Sequence, residues 1–579
     1  MASSNAGGLE STIRSDALLN ASQHGGKAEP QAVLGRVLSR LPEMRSRARE
    51  LIPLVNRICG EVSALAPEEQ KAELAKLGLP EEEKKQKERK SLPPLPDAER
   101  YKTVVTRFAP NPDSVLHLGS TRVIVLSHDY ARMYGGRFIL RFEDTDPRLK
   151  KSSSKFYTYI QEDMDWLGCA PDDVAYQSDR METYYEYAEK LIRLGGAYVC
   201  TCGREAFHSG AEAGKPCPCR GLSASEHAQR WSRMLASGYG EGEAVLRVKT
   251  DMAHPNPAVR DWPAMRIIDT ARHRHPRVGS RYAVWPLYNW SAGLDDHLMG
   301  VTHIIRGKEH LTNAVRQEYF YRAFGWSYPT AIHYGRLGIE GGELSKSKIE
   351  QGIREGRYAG YDDPRLATLR ALRRRGIDPE AVRKLIVQIG LKPVDIVVSW
   401  ENLLAGNRQI IDGRSPRHFG VFDPVQMLVR GVPDGVVTVE LPRHPEAPSM
   451  GTRRYRLETR EGTAKVFVPR QELAGRTSAR LMGMMNVREV EVSGGAASAR
   501  FASYALEDAR KEGIRALEWV PGDENAPISV VMPDASVKKG LSDAQIREER
   551  VGSTVQFERQ FFARLDSKEP DLVLYFTSK

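Results

Sequence analysis

Residues 115–120 read VLHLGS, which puts a histidine, a glycine and a serine within six positions. An imidazole N–H can donate to a phosphate oxygen. Glycine lets a purine or phosphate approach the backbone, and a hydroxyl at a helix start adds a donor where the helix is already electropositive. A second run, GIEGGELSKSKI (338–349), is a glycine-rich turn carrying two lysines and two serines. Ammonium groups on flexible stems meet phosphates well. Taken singly, the histidine reads as a cap or a packed side chain and the lysine turn as a polar loop. Together they describe a place for a polyphosphate.

Sulfur supplies a third set. VCTCGREAFHSGAEAGKPCPCRG holds Cys200, Cys202, Cys217 and Cys219 as two CxC pairs joined by a short loop. Four thiolates so spaced can close a tetrahedron suited to Zn²⁺, with His208 as a substitute ligand. Reduced, unliganded thiols are the alternative. Full occupancy by protein ligands would make such a metal structural, because no open position remains.

Elements must hold these groups. KTVVTRF is a short β-branched run, followed by a Pro/Asn/Asp turn and then LHLGSTRVIVLSHDYARMYGG, a helix stopped by glycines. GGRFILRFEDTD reads as a second strand and YTYIQEDMDWLG as a second helix. Strand and helix in alternation predict a parallel, doubly wound sheet, which binds ligands beyond the carboxyl ends of its strands. Upstream, LGRVLSRLPEMRSRARELIPLVNRICGEVSAL (34–65) repeats apolar residues every three or four positions and predicts helix. EEEKKQKERKSLPPLPD then reads as a linker. Downstream, LATLRALRRRGIDPEAVRKLI (366–386) carries Arg370, Arg373, Arg374, Arg383 and Lys384 at helical spacing. This is either a solvated face or a nucleic-acid contact. Beyond it GVVTVELP, RRYRLE, AKVFVP, VREVEV, ISVVMP and TVQFERQFFARLD predict short antiparallel strands in one barrel or two.

Composition sets outer bounds. A chain of 579 residues exceeds one core, and 41% hydrophobic with 28% charged residues is ordinary for a globular protein. The formal charge of +10 hints at a polyanionic partner without locating it. No apolar run approaches the ~20 residues of a membrane span. The N-terminal residues lack a charged segment followed by an apolar stretch, so no secretory signal is expected and a cytoplasmic location is. Six cysteines in this length argue against a disulfide scaffold.

RFAPNPDSVLHLGS, FILRFEDTDPR, LYNWSAGLDDHLMGVTHIIRGKEH and LSKSK, in this order, resemble the class I glutamyl-tRNA synthetases of the archaeal and eukaryotic-like branch. HPEAPSMGTRRYRL and VQFERQFFARLD are similar to that branch's barrel segments, so the resemblance runs from about residue 100 to the end. It implies a multidomain enzyme: a helical N-terminal extension and linker (1–97), a Rossmann-like catalytic domain in two parts (98–196 and 294–360), and an acceptor-stem-binding insertion holding the cysteines (197–293). A helical stem-contact region (361–405) and β-barrel anticodon-binding domains (406–579) follow.

The implied activity is ATP-dependent attachment of glutamate to tRNA through glutamyl-adenylate, with activation that waits for tRNA. His117 and Lys346 match the catalytic positions. Pro110, Gly119, Ser120, Ser345 and Ser347 complete, with them, the ATP set. Arg107, Glu143, Tyr288 and Arg306 match the glutamate pocket, where Glu143 faces the ammonium and the two arginines can grip carboxylates. ATP would come with Mg²⁺, and in bacterial relatives a similar cysteine cluster binds zinc. The partner is tRNA(Glu), with tRNA(Gln) left open; a monomer is expected, with the N-terminal region free to dock a protein or to support the sheet. Two positions depart from the pattern: Ser120 replaces the last histidine of HIGH, and Glu343 the first lysine of KMSKS. A glutaminyl-tRNA synthetase is the near alternative, disfavoured by Arg306. A tRNA-binding paralogue without catalysis is the more distant one.

Overall fold

Apolar spacing near the N-terminus produces helices α1 (Ser4–Gln23), α2 (Pro30–Arg40), α3 (Ala48–Ala64) and α4 (Pro67–Lys76). Their inner faces meet through Ile13, Val33, Leu51, Val55 and Ile58. The structure is a computed structural model that describes residues 4–23, 26–40, 44, 48–76, 92–150 and 152–579. Residues 81–91 of the expected linker lie outside the described residues. The chain divides into two compact units, Met1–Ser91 and Leu92–Lys579. The prolines that close the expected linker are therefore not spacer. Leu92 and Leu95 are buried in the second unit's core, so the boundary falls earlier than residue 97. Among the described residues no helix is long and apolar enough to cross a membrane.

The second unit opens with β1 (Val105–Phe108), fully buried, then α5 (Leu118–Met133), β2 (Arg137–Phe142), α6 (Ser154–Trp166) and β3 (Asp173–Tyr176). β1 pairs with β2 and β2 with β3, both parallel, with Phe108 beside Leu140 and Phe142 beside Tyr176. The turn from α5 into β2 needs glycine. A Cβ at Gly136 would stand 1.9 Å from the Val104 carbonyl oxygen.

Next come α7 (Met181–Arg193), β4 (Ala197–Cys200), α8 (Arg204–Glu212), α9 (Ala224–Leu235), β5 (Val245–Val248), β6 (Pro263–Ile267) and β7 (Val284–Pro286). The four strands form one antiparallel sheet in sequence order. The chain returns through α10 (Tyr288–Leu298), β8 (His303–Gly307), α11 (Leu311–Phe324) and β9 (Thr330–Tyr334), with β8 and β9 parallel. Thr302 donates its N–H to the Val105 carbonyl at 2.9 Å, which lays β8 beside β1. β10 (Leu337–Ile339), α12 (Lys346–Arg354), α13 (Leu369–Arg374), α14 (Pro379–Ile389) and β11 (Ile396–Val398) complete this part, β10 pairing in parallel with β11. Thr368 caps α13 through the Ala371 N–H, and Asp378 caps α14 ahead of Pro379. Leu118, Ile124, Phe138, Leu140, Leu369, Leu372 and Ile386 share one core, so α5, β2, α13 and α14 are packed as a block.

Four of the five cations singled out between 366 and 386 have acidic partners. Arg370 meets Glu162 at 2.8 Å, Arg374 meets Asp362 and Asp566 at 2.9 Å, Arg383 meets Asp129 at 2.6 Å and Lys384 meets Glu380 at 2.8 Å.

C-terminal strands form a nine-stranded and a seven-stranded sheet. The alternation of TRRYRLETR is realised in the strand Thr452–Arg460, where every second side chain is buried. The sheets are not purely antiparallel as expected. Pro424–Arg430 runs parallel to Ala496–Ser503, and Asn525–Val531 to Leu572–Ser578. Long connections permit this, whereas two-residue turns enforce antiparallel neighbours.

Candidate active site

His117 is the residue from which α5 starts. The residue is half-buried, with the imidazole Nδ1 buried and without a hydrogen-bond partner among the described residues. Burial, helped by the Lys346 charge, pushes its pKa down to about 4, so the ring is neutral at pH 7. The turn is not self-supporting. Leu118 donates its N–H to the Ala367 carbonyl at 2.9 Å, and Leu369 donates to the Leu116 carbonyl at 3.0 Å. Gly119 sits in a crowded position. A Cβ there would stand 2.9 Å from the His117 ring and 3.1 Å from the Leu337 carbonyl oxygen. Ser120 accepts the His117 N–H at 3.5 Å, a long contact inside the first turn.

The LSKSK loop leads into α12, with Ser345 as the preceding residue. Lys346 donates to Asp113 at 2.6 Å, and Lys348 pairs with Glu343 at 3.4 Å. Glu343 also accepts the Ser345 N–H at 2.8 Å, so the acid in the lysine position shapes the turn. Ser345 and Ser347 share a hydroxyl contact at 3.2 Å. Asp113 belongs to the loop between β1 and α5, as does Pro110, whose carbonyl accepts the Glu143 N–H at 2.9 Å. That one loop joins the lysine turn to the end of β2.

Arg107 on β1 and Arg306 on β8 are both buried, yet their surroundings differ. Arg107 is gripped by Asp296 through Nε at 3.1 Å and Nη2 at 3.3 Å. Arg141 joins from β2, donating to Asp296 at 2.8 Å and to Glu143 at 3.2 Å. Asp295 next door gathers Arg180, Gln177 and Tyr184 at 2.7–3.1 Å. Arg306 instead reaches Tyr328 at 3.1 Å, Gln317 at 3.4 Å and His333 at 3.5 Å, all neutral groups. Among the described residues it has no carboxylate within ion-pair distance. Burial pushes the Glu143 carboxyl up against the opposing pull of Arg141 and Arg107. The Tyr288 phenol, raised chiefly by burial, lies within the fields of Glu143, Arg306 and Arg107, so the four expected pocket residues come together. Sequence reading missed Asp296, Asp295 and Arg141. The adjacent aspartates of DDHLMG were the available signal.

Cys200, Cys202, Cys217 and Cys219 converge, with all four sulfurs within 4.8 Å of one another. Cys200 to Cys217 is 3.8 Å and Cys202 to Cys219 is 3.7 Å. Four sulfurs at about 2.3 Å from a tetrahedral Zn²⁺ stand roughly 3.8 Å apart, so the donor set fits that ion. Burial raises the Cys219 thiol, but hydrogen bonds from Thr201 and Arg230 outweigh it and bring the pKa to about 7. His208 is not part of the cluster; it lies on exposed α8 beside Glu212.

Residues 103–412 match the family model for tRNA synthetases class I (E and Q), catalytic domain, and residues 415–504 match that family's anticodon-binding domain. The chain belongs to this family. Within the class I (E and Q) synthetases it is 50% identical over 569 residues to a glutamate–tRNA ligase of Pyrococcus abyssi, covering 96% of this chain and 97% of that one. A glutamate–tRNA ligase of Methanothermobacter thermautotrophicus is 47% identical over 571 residues, covering 99% of this chain and 100% of the other. A crystal structure of a glutamate tRNA ligase from Elizabethkingia meningosepticum is similar at 21% identity, over 54% of this chain and 70% of that one, with a TM-score of 0.38.

Proposed function

We propose that this chain is a ligase that uses ATP to attach glutamate to tRNA. The observation that carries the choice of amino acid is Arg306, a buried guanidinium whose hydrogen-bond partners among the described residues are all neutral. Glutamate's side-chain carboxylate completes its shell. Glutamine would leave the charge unpaired in a dry pocket, at a cost of several kcal/mol.

Glu143 receives the substrate ammonium, and Tyr288 borders it. Arg107, held from behind by Asp296, presents its remaining N–H groups to the amino acid. The α-carboxylate attacks the α-phosphorus of ATP; the new C–O–P bond forms as the bond to pyrophosphate breaks. A terminal ribose hydroxyl of tRNA then attacks the acyl carbon, AMP leaves, and the hydroxyl proton passes to solvent. Neither step needs a covalent enzyme intermediate, so positioning and charge stabilisation do the catalysis. His117, neutral, donates one hydrogen bond to a phosphate oxygen. Lys346 exchanges Asp113 for the triphosphate, and Pro110, Gly119, Ser120, Ser345 and Ser347 shape the bed. Mg²⁺ accompanies the nucleotide.

β3, β2, β1, β8 and β9 are read as one doubly wound, Rossmann-like sheet, and the two C-terminal sheets as barrels that meet the anticodon. The β4–β7 sheet is read as the acceptor-stem insertion, with a structural Zn²⁺ on Cys200, Cys202, Cys217 and Cys219. A monomer acting on tRNA(Glu), and open toward tRNA(Gln), fits this arrangement.

The test is ATP–pyrophosphate exchange with purified protein, run with and without tRNA and with each of the two amino acids. Exchange is expected with glutamate, requiring tRNA. Exchange with glutamine instead would overturn the substrate, and tight tRNA binding with no exchange would indicate a paralogue without catalysis.

A further inference from the structure

The four clustered sulfurs do not share equal surroundings. Arg230 of α9 donates from Nη1 to the Cys219 sulfur at 3.3 Å, and the same nitrogen lies 3.4 Å from the Thr201 hydroxyl and 3.5 Å from the Val199 carbonyl. The Thr201 hydroxyl stands 3.6 Å from that sulfur as well. Arg230 is half-buried and, among the described residues, has no carboxylate within ion-pair distance. Glu226, one turn earlier on α9, lies within its field, but that carboxylate is bound to Ser223 at 2.8 and 2.9 Å in the helix cap. A second guanidinium, Arg247 of β5, is buried within the field of Cys200. It lies over the Phe207 ring at 3.2 Å and gives one N–H to the Asp261 main-chain carbonyl at 3.1 Å, while its Nε has no partner among the described residues. The Asp261 carboxylate is taken by Arg220 at 2.9 Å and Tyr198 at 2.8 Å.

We propose that Arg230 is a positioning residue of a tetrathiolate Zn²⁺ centre. It orients Cys219 through one hydrogen bond and, together with Arg247, offsets the charge that four sulfurs leave on the ion. The proposal rests on the zinc reading above. Four thiolates around one Zn²⁺ carry a net double negative charge, and charge withdrawn from water is costly unless it is compensated. The two guanidiniums bring a double positive charge, and neither spends it on an acid of its own. Donation to a charged sulfur is also the stronger kind of hydrogen bond, so it fixes the direction of the Cys219 side chain before the ion arrives. Groups that hydrogen-bond a metal's ligands change its affinity by about 10- to 100-fold.

Zinc uptake by the metal-stripped full chain is to be measured by competition with a chromogenic chelator, for the wild type, Arg230→Gln and Arg230→Lys. All three residues favour helix to a similar degree, so α9 is kept. Arg230→Gln is expected to weaken zinc binding about 10- to 100-fold, and Arg230→Lys to recover most of the loss. With Co²⁺ in place of zinc, the sulfur-to-metal charge-transfer band should move to longer wavelength in Arg230→Gln, because a thiolate freed of a hydrogen bond gives up electrons more easily; a role in packing alone would leave the band where it is. Unchanged zinc affinity and an unmoved band in Arg230→Gln, in a preparation whose wild type takes up zinc, would overturn the assignment. Arg230→Lys binding as weakly as Arg230→Gln would overturn it too, since charge would then not be what counts. A wild type that takes up no zinc would bring down the metal reading and this proposal with it.

Discussion

Arg107 and Asp296 face each other in parallel, Nε to Oδ1 at 3.1 Å and Nη2 to Oδ2 at 3.3 Å, with both side chains buried. The same carboxylate takes Arg141 at 2.8 Å, and Arg141 passes on to Glu143 at 3.2 Å. Burial alone would raise the Asp296 carboxyl. Arg107 and Arg141 outweigh it and hold the group below the ordinary carboxylate range. One internal anion thus sets the direction of two cations.

Replacing that anion is expected to be expensive. Asp296→Asn keeps the shape but leaves the buried Arg107 without its carboxylate and Arg141 with Glu143 and Asp295 alone, and removing one partner of a buried pair costs about 3–5 kcal/mol. Thermal unfolding should begin several degrees lower, and the KM for glutamate should rise more than the KM for ATP. A melting curve that matches wild type would show that Asp296 does not carry the load assigned to it.

Arg306→Ala should separate the amino acid from the nucleotide. Loss of a charged partner for the substrate carboxylate predicts a fall in kcat/KM for glutamate of about 100-fold or more, roughly 3 kcal/mol. The KM for ATP should move little, because Arg306 contacts Tyr328, Gln317 and His333 and no part of the lysine turn. Steady-state kinetics in both substrates decides it, and equal losses in the two would reject the assignment.

The pH dependence of His117 has a definite sign. Its pKa is near 6.5 in an unfolded chain and about 4 here, so between those values only the unfolded chain takes up the proton. Its contribution to stability is complete above about pH 6.5 and is lost as the pH falls toward 4. The imidazole stays neutral through the working range, so the KM for ATP should be flat between about pH 6 and 8. A break near 6.5 that vanishes in His117→Asn would contradict the neutral ring.

Metal removal bears on the cysteine cluster. Protein purified without chelator is expected to hold close to one zinc per chain by atomic emission, and Cys217→Ser to hold none. Stripping the ion with a strong chelator should expose four titratable thiols and lower the melting temperature of the β4–β7 sheet region. Four reactive thiols before any chelator is added would mean the sulfurs are free.

Much of the scaffold was legible because periodicity announces it. Alternate strand and helix, glycines after α5 and the order of the signature runs all reflect local rules. The four cysteines were legible for the same reason, since their spacing is short. What escaped was pairing across distance. Arg107 and Arg306 look alike in sequence, and only the fold gives one an aspartate and the other neutral neighbours. Glu343 read only as a departure from the signature's first lysine, and the structure shows it folding the lysine turn through Ser345 and Lys348. A side chain at Gly119 would meet the His117 ring and the Leu337 carbonyl, a crowding that only the fold reveals.

The backbone pairing of 116–118 with 367–369 has a consequence for synthesis. A ribosome that has released LSKSK has already delivered every signature residue, yet the strut that braces the histidine turn is still unmade. Contacts between such remote segments close late. A nascent chain stalled before residue 366 should therefore carry the whole catalytic inventory and still fail to hold a nucleotide, a built-in delay between possessing the parts and working.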